Sequence, residues 1–220
     1  MFLFDPGNHH EEFSSKGYVH LKNILSEDFR AFLDEFYMRS LLNHEKEKDD
    51  WKIRGKKRQY LFDFPSGQLA QEFRSAMASL TGIDPEDFTI SERHLKVYDG
   101  EAAPWPAPHK DRAASEISIG LPVHIPAGST ACLFPQLQFG PNVEEKAIFL
   151  TDSDYPDLSH IYQMEEAVML NEQVGDIIAF LGSSIFHERV RAADTAILYI
   201  KVNGSRRDPL GENIFAAEFV

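Results

Sequence analysis

The chain holds a single cysteine, Cys132, so no internal disulfide can form, and a reducing compartment suits it. No apolar run approaches the ~20 residues a membrane helix needs. Phe2, Leu3 and Phe4 near the start lack both the basic lead and the run length of a signal peptide. Bases are scarce beside acids: 22 Lys and Arg face 35 Asp and Glu, for a formal net charge of −13. Such a chain repels a phosphate backbone, which argues against general nucleic-acid binding. There is no internal repeat and no low-complexity tract. These absences predict a cytoplasmic protein that binds neither nucleic acid nor a membrane. What is present is apolar mass: 43% hydrophobic and 12% aromatic residues over 220 positions. That is enough for a sizeable core, excludes general disorder, and fits one domain over 1–220 rather than two.

Residues 1–87 read as a mainly helical flank. Ser26 is a plausible N-cap, with Glu27 and Asp28 in the first turn, and Phe29, Phe32, Leu33, Phe36 and Tyr37 recur at offsets of three and four. A second amphipathic helix begins near Ser66, carries Leu69, Phe73, Met77 and Leu80 on one stripe, and closes at Thr81-Gly82 before Pro85. From Phe88 the period changes to two. Segments 88–99, 116–125, 130–134, 146–150, 167–170, 177–181, 185–190 and 195–202 read as short strands parted by Gly, Pro and Asp. Strands without long intervening helices predict a sandwich, jelly roll or barrel over 88–203, followed by an extension over 204–220. Lys52, Arg54, Lys56, Lys57 and Arg58 form either a solvated loop or a mouth that attracts an anionic substrate. The acidic stretch from Thr151 to Glu166 is either a lid or a solvated insertion.

The residues able to carry chemistry fall in two places. His109-Lys110-Asp111 follows a Pro-rich turn and precedes a strand. In extended chain, residues two apart point to one side, so this imidazole and carboxylate can converge on one ion. The same spacing at His9/Glu11 and His10/Glu12 lies near a terminus with no strand around it. The second place is VGDIIAFLGSSIFHE, which reads as turn, buried strand, tight turn and a strand bearing His187. A jelly roll is expected to set that strand beside the one following Asp111. Two imidazoles and one carboxylate on one face leave three adjacent coordination positions open, as in non-haem Fe(II) oxygenases. A closed structural zinc site would want a fourth ligand, often cysteine, which the lone Cys132 disfavours. His20, His44 and His160 read as surface residues, His94 and His124 as strand residues able to approach the site, and Trp105 as a pocket wall or loop anchor.

Three segments carry a family resemblance: FSSKGYVHLKNILSEDF over Phe13 to Phe29, HKD in the H-x-D place, and VGDIIAFLGSSIFHE. Some 75 residues part Asp111 from His187. Over nearly its whole length the chain resembles the Fe(II)/2-oxoglutarate-dependent oxygenases of the phytanoyl-CoA dioxygenase-like group. The resemblance implies a mainly β fold with flanking α-helices, a double-stranded β-helix of jelly-roll, cupin-like form. It implies His109, Asp111 and His187 as iron ligands, Fe(II) and 2-oxoglutarate as cofactors, and O2 and a small molecule as substrates. Succinate and carbon dioxide would be released. Because Asp111 is a carboxylate, the implied outcome is hydroxylation, desaturation or cyclisation rather than halogenation. Substrates in the family range over acyl thioesters, amino acids and natural-product intermediates; nothing in the sequence selects among them or sets an oligomeric state.

The chain departs from the family in one respect. The arginine that binds the remote carboxylate of 2-oxoglutarate is expected about ten places after the distal histidine, yet Thr195 to Ile197 holds no base. The nearest substitutes are Arg189 and Arg191, which share strand parity with His187, and Lys201, which shares it with Tyr199. The sequence favours Arg191 or Lys201, with Lys96 as a further possibility. The missing arginine also supports a rival, a cupin-like metalloenzyme that does not use 2-oxoglutarate. A third reading is a non-catalytic jelly-roll binding module in which the histidines only pack.

Overall fold

A computed structural model describes residues 1–43, 57–100, 108–137, 139–150, 167–211 and 214–215. The features read at His44, 52–56, Trp105, His160 and 151–166 lie outside these residues. No helix among the described residues is long and apolar enough to cross a membrane.

Two antiparallel sheets form a double-stranded β-helix. The larger has the order β1 (Tyr18–Leu21), β9 (Ile177–Phe180), β5 (Ile117–His124), β11 (Ala196–Asn203), β3 (Thr89–Tyr98), β2 (Lys57–Leu61). The smaller runs β7 (Ile148–Phe149), β4 (His109–Lys110), β10 (Phe186–Val190), β6 (Thr130–Phe134), β8 (Val168–Met169). Periodicity predicts a strand at each of these positions except β1, β2 and the two-residue β4, and β1 falls in the Phe13 to Phe29 segment, whose family resemblance implies an entry strand followed by a helix. In β2 the run of bases masks a partly buried strand: Gln59 and Tyr60 are both buried, and the Arg58 guanidinium sits 5.3 Å over the Tyr60 ring.

Helices pack on the outer face of the larger sheet. In α2 (Glu27–Asn43), Ser26 Oγ accepts from the Phe29 amide, and Phe29, Leu33 and Phe36 are buried. In α3 (Gly67–Thr81), Ser66 caps the Leu69 amide, and Gly82 ends the helix at φ 76°, a left-handed turn that suits glycine. Phe73, Met77 and Leu80 of α3 join Leu95, Val97, Leu198 and Ile200 of the sheet in one cluster. Each such side chain contributes roughly 1.5–3 kcal/mol as an upper bound, so the two stripes suffice to dock the helices.

One edge of the larger sheet is pinned by a buried carboxylate. Asp176, in the turn before β9, accepts from His20 Nε2 at 2.7 Å and from the amides of Asn23 at 2.8 Å and Gln173 at 2.9 Å. His20 is therefore a partly buried clamp between β1 and that turn, not the surface residue expected from sequence.

Candidate metal centre and the cavity behind it

The sheet pairing sets the centre. His109 of β4 stands directly across from His187 of β10, and their ring centroids are 4.5 Å apart. The strand bearing His187 is thus flanked by β4 and β6; β5, which follows Asp111, belongs to the other sheet. That corrects the neighbour expected from sequence. Alternation does the rest: Lys110 turns to the opposite face, where its ammonium donates to the Gly140 carbonyl at 2.8 Å and lies 4.8 Å over Phe186. His109 and Asp111 consequently converge.

Among the described residues, His109, Asp111 and His187 are the one group of three or more His, Cys, Asp or Glu whose ligand atoms all lie within 4.8 Å of one another. His109 Nε2 is 3.8 Å from Asp111 Oδ1, and His187 Nε2 is 3.7 Å from Asp111 Oδ2. The donor set suits a divalent metal in a specific way. His187 Nδ1 donates to the Ile185 carbonyl at 2.9 Å, which places the proton on that nitrogen and leaves the Nε2 lone pair facing Asp111. Burial pushes the His187 pKa down, favouring the neutral imidazole that a metal requires. Burial also opposes ionisation of Asp111, but the Lys201 ammonium, through its charge and the hydrogen bond it donates, outweighs it and holds the carboxyl well below the usual carboxylate range.

Asp111 is fixed from four directions. Lys201 Nζ donates to Oδ1 at 2.5 Å, Ser118 Oγ to Oδ2 at 2.6 Å, and Asn142 Nδ2 to the backbone carbonyl at 2.8 Å. Its own amide donates to the Gly182 carbonyl at 2.8 Å. The turn at Gly182 comes so close that a Cβ there would sit 2.6 Å from both Asp111 Oδ2 and Ser118 Oγ.

Behind the centre lies a cavity of about 140 Å³. His109 and His187 stand at one end, with Phe149 stacked on His109 at 5.2 Å and Phe180 tilted against His187 at 4.6 Å. Lys96, Lys201, Arg189 and Tyr199 supply its polar lining. Arg189 is 3% exposed and ion-pairs with the fully buried Glu172; Ser129 Oγ and Tyr199 Oη each lie 3.3 Å from its terminal nitrogens. Its Nε is buried with no hydrogen-bond partner. A buried donor left unmatched beside a cavity marks a place where a ligand acceptor fits.

The four bases considered from sequence therefore separate. Lys96 and Lys201 line the cavity, whereas Arg191 does not: β10 ends at Val190, Arg191 turns at φ 53°, and its exposed side chain packs by Gly128. Strand parity with His187 stops where the strand stops. Arg189, the substitute the sequence ranked lower, is the arginine that faces inward. His94 is buried on the inward face of β3, 3.6 Å from Glu92, while His124 stacks on Tyr37 at 6.1 Å, away from the centre. Glu92, Glu172, Ser118 and Gly182 escaped the sequence reading because their roles depend on cross-strand register and tertiary approach.

No protein-family description matches the chain, and no curated protein matches it. Its structure, however, is similar to those of Fe(II)/2-oxoglutarate oxygenases, and the fold is the one that class shares. A prolyl-4-hydroxylase from Pseudomonas putida aligns with TM-score 0.58 and 13% identity, covering 90% of this chain and 97% of that one. The non-haem α-ketoglutarate-dependent epimerase SnoN from nogalamycin biosynthesis aligns with TM-score 0.60 and 14% identity, covering 98% and 92%. EctD from S. alaskensis, solved with 2-oxoglutarate and 5-hydroxyectoine, aligns with TM-score 0.56 and 14% identity, covering 92% and 78%. At these identities the likeness is one of fold.

Proposed function

We propose that this chain is a non-haem Fe(II)/2-oxoglutarate-dependent oxygenase of the phytanoyl-CoA dioxygenase-like group that hydroxylates, desaturates or cyclises a small molecule. The observation that carries the reading is the conjunction of the His109-Asp111-His187 set, whose two imidazoles line the cavity, with a buried arginine that lines the same cavity and has a free donor. His109, Asp111 and His187 would hold the iron. Bound together there, iron and 2-oxoglutarate supply an oxidant from O2, with release of succinate and carbon dioxide.

The chain's own residues select and orient. Arg189 offers Nε, and Tyr199 its hydroxyl, to the remote carboxylate of the co-substrate, and a charge-assisted contact of that kind is stronger than a neutral one. Lys96, 5.2 Å from the Tyr199 ring, adds positive potential beside it. Phe149 and Phe180 flank the two imidazoles, and the buried Phe180 shields the His187 ring from water. Charge closes as well. Lys96, Lys201 and Arg189 balance Glu92, Asp111 and Glu172, and a dication with a dianionic 2-oxo acid adds nothing net. The reacting part of the substrate is then expected to be uncharged, since an unpaired charge in such a site is costly.

The rival without 2-oxoglutarate has one observation in its favour: Glu172 already pairs Arg189. Anaerobic addition of 2-oxoglutarate to the Fe(II)-loaded protein separates the two. A weak visible charge-transfer band, followed in air by succinate release, supports the oxygenase; metal binding with neither signal supports the rival. No metal binding at all would support the non-catalytic module.

A further inference from the structure

Lys201 sits between two carboxylates that belong to different parts of the site. The register of β11 puts it beside Ser118 of β5 on one side and Glu92 of β3 on the other. Its ammonium lies 2.5 Å from Asp111 Oδ1 and 3.6 Å from Glu92 Oε2, and the residue is 7% exposed. Glu92 Oε1 in turn lies 2.9 Å from Lys96 Nζ. The result is a row of alternating charge, Asp111, Lys201, Glu92, Lys96, running from the metal centre across β11 and β3. Glu92 thus divides its two oxygens between the lysines, Oε1 close to Lys96 and Oε2 farther from Lys201.

We infer that Lys201 is a positioning residue that competes with the metal ion for Asp111, and that Glu92, which ligates nothing, sets the metal affinity by drawing the ammonium away. This rests on the metal reading of His109, Asp111 and His187 given above. The physical ground is that a dication and an ammonium on the same buried carboxylate repel strongly where water cannot screen them. An ion arriving at Asp111 therefore displaces Lys201 toward Glu92 Oε2, a move of about an ångström over the 3.6 Å separation. A lysine that only braced Asp111 would have the opposite signature, since its removal would loosen the ligand and weaken binding.

Full-length protein is titrated with Co(II), read by the visible d–d bands and by equilibrium dialysis, with circular dichroism as the check on folding. Lys201→Met is expected to bind Co(II) about tenfold tighter or more, and Lys201→Arg to bind within about threefold of the wild type. Glu92→Gln, which leaves Lys201 with Asp111 alone, is expected to bind about tenfold more weakly. Unchanged or weaker binding by Lys201→Met overturns the inference, and so does unchanged or tighter binding by Glu92→Gln. The second variant decides the matter alone if the first does not fold. Failure of the wild type to bind Co(II) would instead remove the metal reading itself, and the inference with it.

Discussion

His187 and Arg189 stand two residues apart on β10 and face the same cavity, His187 at its metal-binding end and Arg189 beside Tyr199 and Glu172. One strand thus brings a metal ligand and a guanidinium to a fixed separation. In this chain the expected base at the start of the last strand is absent, and β10, the preceding strand in the other sheet, presents one instead.

Replacing Arg189 by Met should reduce 2-oxoglutarate affinity by about ten- to a hundredfold, from the 1.5–3 kcal/mol of a charged hydrogen bond. It should also destabilise the fold by about 3–5 kcal/mol, because Glu172 is left buried and unpaired. Adding Glu172→Met should restore most of the stability but none of the affinity. Calorimetric titration and denaturant unfolding read the two effects separately, and recovery of both together would count against the anchoring role.

Gly182→Ala should cost about ten- to a hundredfold in metal affinity with little change in global stability. The added methyl would sit 2.6 Å from the Asp111 carboxylate and from Ser118, and must push one of them aside. Dialysis against Co(II) measures it; unchanged affinity would mean that the turn relaxes outward instead.

Glu188, adjacent to His187 but on the strand's other face, is 4% exposed, and one of its oxygens lacks a partner. Burial raises its pKa from 4.5 to about 8. The folded state therefore binds the proton more tightly than the unfolded chain, so this group's stability contribution is full below about pH 4.5 and is lost as pH rises through about 8. Glu188→Gln, which mimics the protonated acid, should match the wild type near pH 4.5 and exceed it by about 2 kcal/mol or more at pH 9. Urea unfolding at the two pH values decides it, and an equal gain at both would point to packing rather than ionisation.

Asp176→Ala should destabilise the protein by about 3 kcal/mol, since it strands two amides and the His20 ring. Asp176→Asn should cost less than half as much, because one acceptor survives. A loss below 1 kcal/mol in thermal unfolding of the alanine variant would show that water replaces the carboxylate.

Local chemistry explains which parts were legible in advance. The stripe of α3 and its Ser66 and Gly82 ends are written in adjacent residues, and the strands of the core announce themselves by alternation. His109 and Asp111 were found by the same period of two. That rule fails at Arg191 because β10 stops at Val190 and Arg191 itself is left-handed. β2 was hidden because its charged residues look like a solvated loop until Tyr60 is seen to be buried. His20 and Asp176 lie 156 residues apart, so nothing near either one signals their contact. Glu92 and Lys201 likewise meet only through the pairing of β3 with β11.

The strand that carries His109 is two residues long and lies between β10 and the equally short β7. So brief a segment contributes few ladder bonds of its own, and an ion shared by His109, Asp111 and His187 would rivet it to its neighbour. Metal loading should then slow deuterium uptake at the amides of His109 and Lys110 more than anywhere on the helical face, making catalytic readiness and local rigidity a single property of this corner of the molecule.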